Sequence, residues 1–454
     1  MKQALYGISG GLVAGLLFLV VMFNGPLAQR EQAAPATFPT QSTSATASPS
    51  ESASPVATEE PIPTCSVKDY ETAEGILQLQ AQVVDTATST VLYDRNSALA
   101  SRTASVLKLV TAAAALETLG PDYTVTTRVY VDNLDPSIIY LAGAGDVTLS
   151  RTGVNEQSVY RNAPKLATLV KQISKALPGQ TFSQIVLDTS LYGAANGDWK
   201  QDWEIKGLKE GYMSRVSALQ VDGDRDNPAG KDSARSKDPV ARAGKWFKEA
   251  LGSTASSAGV SVGITPADAT EVAKVSSRPI SEWIDYMLVV SDNTLAEALA
   301  RLVALDVGYS GSFATLDSAY KKALSRTGIN LSTVRIEDGS GLSDYNAASP
   351  QTINELLIKV FQGYGDFAVI QAGMPVAGTP GSLSYRLEEA AGKITAKTGW
   401  IQSGYTLAGF MQTPDGANLV FTIYNLGKVS EANRDAMDAL ALGIYQCGAT
   451  LGNE

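Results

Sequence analysis

From Leu77 the chain alternates apolar and polar residues in two short runs, LQLQAQVVD and STVLYDR. A period of two marks a half-buried strand, so these runs predict two strands joined by a turn near Thr86-Ala87-Thr88. The alternation then stops. SVLKLVTAAAALETLGP is rich in Ala and Leu and predicts a helix that Gly120-Pro121 ends. Near the C-terminus, KITAKTGW, YTLAGFMQ and NLVFTIYNL predict three successive strands, and ANRDAMDALALGIYQ a closing helix. Elements from both ends of the chain are expected to share one domain, built from residues 65–128 and 275–450. Residues 129–274, roughly Val129 to Lys274, read as an inserted accessory region of mainly β character, with short strands such as SIIYLAGAG and VSALQVDGD. The expected class is α+β.

Upstream of Leu77 the pattern is different. Gly7 to Phe23 is an uncharged, mostly apolar run preceded by Lys2, so residues 1–31 read as a signal peptide or an uncleaved membrane anchor. Both readings export the downstream chain. Residues 32–64 are rich in Ser, Thr, Ala and Pro and nearly lack large apolar side chains, the composition of a disordered linker.

Composition narrows the chemistry. Lys and Arg number 36 and Asp and Glu 46, a formal net charge of -10. With no basic run, no nucleic-acid partner is expected, because phosphate contacts need clustered cations. The chain has no histidine. A Ser-His-Asp triad is therefore impossible, as are a Cys-His pair and His-ligated zinc. A hydrolytic site would have to take its general base from Lys, Asp, Glu or Tyr. Cys65 and Cys447 are the two cysteines. They bracket the folded region, and export favours a disulfide between them over two separate buried thiols.

Three short motifs carry candidate chemistry. Ser105-Val106-Leu107-Lys108 opens the first predicted helix, where the i, i+3 spacing puts both polar side chains on one face. Lysine can activate a serine if it is partly neutral, which requires burial or a nearby positive charge. Alone, the motif is common by chance and reads as a solvated helix start. Ser291-Asp292-Asn293 separates two apolar helical runs and alone reads as a helix cap. Lys397-Thr398-Gly399 lies on a predicted strand, where glycine marks a close approach of ligand or backbone and lysine can protect an edge.

Together, and in this order, the three form the signature set of penicillin-binding proteins and related β-lactamases. The segments SVLKLVTAAAALETLG, LAGAGDVTLS, VSALQVDGD, VSDNTLAEALARL, DGSGLSDYN and ITAKTGW extend the likeness over roughly Leu77 to Gly443. The chain resembles the low-molecular-mass class C penicillin-binding proteins, the D-Ala-D-Ala carboxypeptidase and endopeptidase family. The large insertion between the first two motifs argues against a simple class A β-lactamase.

The resemblance implies a penicillin-binding fold, an antiparallel sheet flanked by helices. It also implies roles. Ser105 is the nucleophile, Lys108 its base, Ser291 the proton relay to the departing D-alanine. Asn293 holds the substrate amide and orients Lys108. Lys397 supplies positive potential and lowers the Lys108 pKa. Thr398, Gly399 and residue 400 bind substrate, and the backbone N–H groups of Ser105 and residue 400 form the oxyanion hole. The implied partners are peptidoglycan stem peptides, with β-lactams as inhibitors, in the cell-wall space, and the resemblance implies no cofactor and no metal. DGSGLS, Asp338 to Ser343, reads as a structural turn near the site. One departure stands out. Where the family usually has Thr or Ser after Lys-Thr-Gly, this chain has Trp400. A DD-endopeptidase cutting crosslinks, or a catalytically idle wall-binding homologue, are the competing readings.

Overall fold

Two five-stranded sheets organise the computed structural model, which describes residues 65–193 and 197–452. The signal or anchor expected for residues 1–31 and the linker expected for residues 32–64 lie outside the described residues. Among the described residues, no helix is long and apolar enough to cross a membrane.

The first sheet joins the two ends of the chain. Its order is β2-β1-β10-β9-β8, all antiparallel, from β1 (Gln78–Asp85), β2 (Val91–Arg95), β8 (Ile394–Ile401), β9 (Gly404–Gln412) and β10 (Asn418–Leu426). Alternation along β10 serves two cores. Leu419, Phe421 and Ile423 pack with Met437, Leu440 and Ile444 of the C-terminal helix. Val420 and Tyr424 join the larger helical core on the other face. β10 is thus covered on both sides, and β1 is more buried than the half-buried strand expected, whereas β2 is half-buried as expected. Gln80 and Gln82 of β1 are buried as well: Gln82 Nε2 donates to Ser97 Oγ at 3.2 Å, and Asn354 Nδ2 donates to the Gln82 carbonyl at 3.0 Å. A polar strand face can be buried at little cost when its groups are paired in this way.

Helices of eight residues or more are labelled α1 (Leu107–Thr118), α2 (Leu166–Ala176), α3 (Pro239–Leu251), α4 (Ile280–Val290), α5 (Asn293–Asp306), α6 (Leu316–Ala323), α7 (Pro350–Phe361) and α8 (Glu431–Cys447). Residues Leu107 through Leu116 of α1 are all buried. A helix apolar around its circumference must be enclosed, and the Ala112–Ala115 run lets neighbouring helices approach closely. At the ends of the described chain, the Cys65 and Cys447 sulfurs are bonded, with Cα atoms 5.4 Å apart across 382 residues of sequence.

The inserted segment builds the second sheet, ordered β6-β5-β4-β3-β7: β3 (Thr126–Val131), β4 (Ile138–Ala142), β5 (Gln184–Asp188), β6 (Gly259–Val262) and β7 (Thr270–Ser276). β3 and β7 pair from Thr126–Ser276 inward, so the insertion's sheet begins and ends slightly outside the expected 129–274. Two helices that sequence periodicity did not single out, α2 and α3, bury Leu169, Ile173 and Phe247 against Ile139, Leu141, Ile185 and Leu187. The insertion is therefore a sheet with a helical layer. VSALQVDGD is a further correction. It is not a strand but buried irregular backbone ending in a short turn at Asp222–Asp224. Its polar groups are met by the backbone of neighbouring segments: the Asp222 and Gly223 N–H groups donate to the Leu149 and Val147 carbonyls, each at 2.7 Å, and the Arg151 and Ser236 N–H groups donate to the Asp222 and Asp224 carboxylates.

Candidate active site

The three motifs, far apart in sequence, meet where α1, the α4–α5 junction and edge strand β8 converge. Ser105 sits in a 3-10 turn, Ala104–Val106, that leads into α1. Ala104 has a left-handed backbone, φ 44°. Two glycines accommodate this turn. A Cβ on Gly341 would lie 1.9 Å from the Ala104 carbonyl oxygen. A Cβ on Gly399 would lie 2.1 Å from Thr406 Oγ1 and 2.9 Å from the Ser105 nitrogen. Gly399 thus has the physical reason anticipated for it: β8 passes against the turn that carries Ser105. Thr406 Oγ1 of β9 donates to the Thr103 carbonyl at 2.7 Å and ties the turn to the sheet.

Lys108 lies one helical turn beyond Ser105. Its Nζ is 2.9 Å from Ser105 Oγ, 2.6 Å from Asn293 Oδ1 and 2.6 Å from the Ser340 carbonyl oxygen. A neutral amine has two N–H donors and one lone pair. With the N–H groups directed to Asn293 and Ser340, the lone pair faces the Ser105 hydroxyl. Burial brings the Lys108 pKa down to about 8, against the carboxylates of Asp338, Glu297 and Asp292, which push it up. Desolvation is the largest cause of the lowering at Lys108, and the charges of Lys108 and Lys397 also repel one another. DGSGLS also does more than turn the chain, since its Ser340 carbonyl touches the base directly.

Lys397 is fully buried, and its Nζ donates to Ser291 Oγ at 2.9 Å and to the Thr398 carbonyl at 2.8 Å. Burial, then the charges of Lys108, Lys231 and Arg386, hold its pKa well below the usual lysine value. Ser291 ends α4 in a left-handed conformation, φ 61° and ψ 43°. Asp292 caps α5 by accepting from the Leu295 N–H at 2.9 Å. The cap and the site therefore coexist in one tripeptide, on different residues. Asn293 Nδ2 donates to the Tyr212 carbonyl at 2.9 Å, and Thr398 Oγ1 to Ser382 Oγ at 2.9 Å.

Ser105 opens into a cavity of about 390 Å³. Its wall includes Ser291, Asn293 and Trp400, together with Trp199, Asp202 and Tyr212 from the insertion. Trp400 is 55% exposed and stands along the wall, its ring centroid 6.4 Å from that of Tyr405. Sequence reasoning missed Trp199, Asp202, Tyr212 and Ser382. One signal was available for the first two: WKQDWEIKG concentrates aromatic and charged side chains in a segment with no strand or helix period. Among the described residues no group of His, Cys, Asp and Glu is arranged to hold a metal ion.

Comparison with known proteins agrees with this geometry. The chain is 31% identical over 381 residues to carboxypeptidase DacB of Mycolicibacterium smegmatis, covering 82% of this chain and 81% of the relative. It is 29% identical over 437 residues to a D-alanyl-D-alanine carboxypeptidase of an Actinomadura species, covering 80% of each. Its fold matches the crystal structure of penicillin binding protein 4 from Haemophilus influenzae with a TM-score of 0.70 at 20% identity, covering 84% of this chain and 99% of the other. The family model for D-Ala-D-Ala carboxypeptidase 3 (S13) matches residues 69–229 and 225–444. A serine and lysine in hydrogen-bonding contact, completed by Asn293 and by a buried Lys397–Ser291 pair, thus sit in a chain that belongs to the S13 family of D-Ala-D-Ala carboxypeptidases.

Proposed function

We propose that the protein is a serine D-alanyl-D-alanine carboxypeptidase that removes the terminal D-alanine of peptidoglycan stem peptides through an acyl-enzyme on Ser105. The observation that carries this reading is the environment of Lys108. A lysine with a pKa of about 8 is neutral in roughly a tenth of molecules at pH 7, and its nitrogen is already 2.9 Å from the hydroxyl it must deprotonate.

Ser105 Oγ attacks the carbonyl of the penultimate D-alanine while Lys108 accepts its proton. The backbone N–H groups of Ser105 and Trp400 receive the charge that develops on the carbonyl oxygen. The proton that Lys108 took up is relayed through the hydroxyl of Ser291, held by Lys397, to the leaving amine, and the C–N bond breaks. Thr398 binds the terminal carboxylate in the positive field of Lys397. Water then cleaves the ester and restores Ser105. A β-lactam enters the same path but leaves no departing amine, so its acyl group should remain on Ser105.

Action outside the cytoplasm fits the Cys65–Cys447 disulfide. Whether the N-terminal segment anchors the protein is a separate proposal, checked by membrane fractionation with and without residues 1–31.

The test is direct. Incubation with benzylpenicillin should add one acyl group to the peptide containing Ser105, and Ser105→Ala should remove the labelling entirely. Labelling that persists in Ser105→Ala would overturn the assignment. D-Alanine release from linear peptides, compared with cleavage of crosslinked ones, separates carboxypeptidase from endopeptidase.

A further inference from the structure

The insertion reaches the second motif through a buried charge. Arg225, 1% exposed, places Nη2 2.7 Å from Asp292 Oδ2. The two oxygens of Asp292 are divided: Oδ1 caps α5 and Oδ2 meets the guanidinium. Burial pushes the Asp292 carboxyl up, yet Arg225 and Arg235 hold it below its ordinary value.

The backbone that delivers Arg225 is itself unusual. Asp222, Gly223 and Asp224 are three consecutive left-handed residues, φ 54°, 56° and 60°, and all are buried. Non-glycine residues persist in that region only where their surroundings over-determine them. Here the surroundings do. Arg151 donates to Asp222 from both its backbone and its guanidinium, at 3.1 and 3.2 Å. Ser236 N donates to Asp224 at 2.7 Å, and Arg242 pairs with Asp224 at 3.2 Å. Gly223 leaves room for the guanidinium, since a Cβ there would lie 2.7 Å from Arg225 Nη1 and from Tyr160 Oη. Arg235 donates to the carbonyls of Gly223, at 2.5 Å, and Gly211, at 3.0 Å. It thereby joins the Arg225 turn to the loop whose Tyr212 carbonyl receives Asn293.

On the other side of the pair lies Ser291, also left-handed, φ 61°, without being glycine. Its hydroxyl is held by Lys397 and its neighbour by Arg225.

We propose that Arg225 is a positioning residue of the reaction: through its buried pair with Asp292 it holds Ser291 in the left-handed geometry that presents its hydroxyl between Lys397 and the leaving group. This rests on the acyl-enzyme reading above, whose own test is labelling of the wild-type protein on Ser105. Arg225 touches no reacting atom and acts through Asp292.

The experiment measures kcat and KM for D-alanine release from an N-acylated peptide ending in D-Ala-D-Ala, beside the melting temperature. Arg225→Met should lower kcat by about a hundredfold, the cost of misplacing a reacting group by about 1 Å, and leave KM within about twofold. Arg225→Met also strands the Asp292 charge in the interior and lowers the melting temperature. Arg225→Met/Asp292→Asn removes that charge. It should recover melting temperature over Arg225→Met while kcat stays low. A double variant whose kcat returns to within about twofold of wild type assigns Arg225 to stability alone and overturns the proposal. An unchanged kcat in Arg225→Met overturns it too. Should Arg225→Met fail to fold, the double variant decides by the same criterion. A wild-type protein that penicillin does not acylate refutes the acyl-enzyme reading instead, a different result.

Discussion

The two sheets have the same number of strands and opposite characters. The edge of the first, β8, carries Lys397, Thr398 and Gly399, and seven of its eight residues lie at least partly inside the protein. The edge of the second, β6, is exposed at all four residues, and Val262 and nearby Ile264 stand in solvent at 66% and 74%. The candidate site lies where the edge is covered. Burial of Lys397 and Lys108 shifts their protonation equilibria, and a covering turn places Ser105 against the strand. The insertion contributes to the site without using its sheet. Its contribution comes from loops: Trp199, Asp202, Tyr212 and Arg225.

The largest effect expected within this comparison is at the covered edge. Gly399→Ala adds a Cβ that must sit 2.1 Å from Thr406 Oγ1 and 2.9 Å from the Ser105 nitrogen. The turn and strand must separate, and acylation by benzylpenicillin should fall by about a hundredfold or more. A rate within about threefold of wild type would mean that the close approach is not needed.

The next concerns the sheet that joins the chain ends. By the chain-entropy model, the Cys65–Cys447 bond across 382 residues stabilises the fold by about 5 kcal/mol, less any strain. Cys65→Ser/Cys447→Ser should lower the melting temperature by roughly 6 °C. Hydrogen exchange should quicken in α8 before it does in β4 of the insertion. Equal acceleration in both would break the distinction between the two regions.

The pH profile then sharpens the role of burial. Lys108 must be neutral to accept the Ser105 proton, and its pKa is about 8. Below that pH the neutral fraction rises about tenfold per unit, and above it the fraction levels off. The second-order acylation rate should track this rise and flatten near pH 8. A rate independent of pH between 6 and 8, roughly the span over which the neutral fraction changes most, would remove Lys108 as the base.

The smallest effect is at Trp400. The side chain lines the cavity where the family usually has a hydroxyl. A hydrogen bond to a charged carboxylate contributes about 1.5–3 kcal/mol. Restoring it with Trp400→Thr should raise penicillin acylation by at least several-fold, because the half-exposed indole packs only loosely and its loss costs little. An unchanged or slower rate would make the tryptophan an adapted part of this site.

Much of this architecture was legible in the chain. Alternation marked β1 and β2 because strand side chains repeat every two residues, three short C-terminal runs marked β8, β9 and β10, and the Ala-rich run marked α1. The absence of histidine restricted the choice of base, and the order of the three motifs identified Ser105, Lys108, Ser291, Asn293 and Lys397 as candidates. The rest depends on contacts between distant residues. Sequence periodicity cannot report that Gln82 of β1 faces a helix whose Asn354 meets it, or that VSALQVDGD finds its partners in other loops. Nor does it reveal that Ser340, 232 positions from Lys108, offers it a carbonyl, or that burial more than charge sets its pKa. Local residue order determines which groups are present and the period in which they repeat. Desolvation and the meeting of loops depend on what the folded chain brings alongside, and only the tertiary structure decided those.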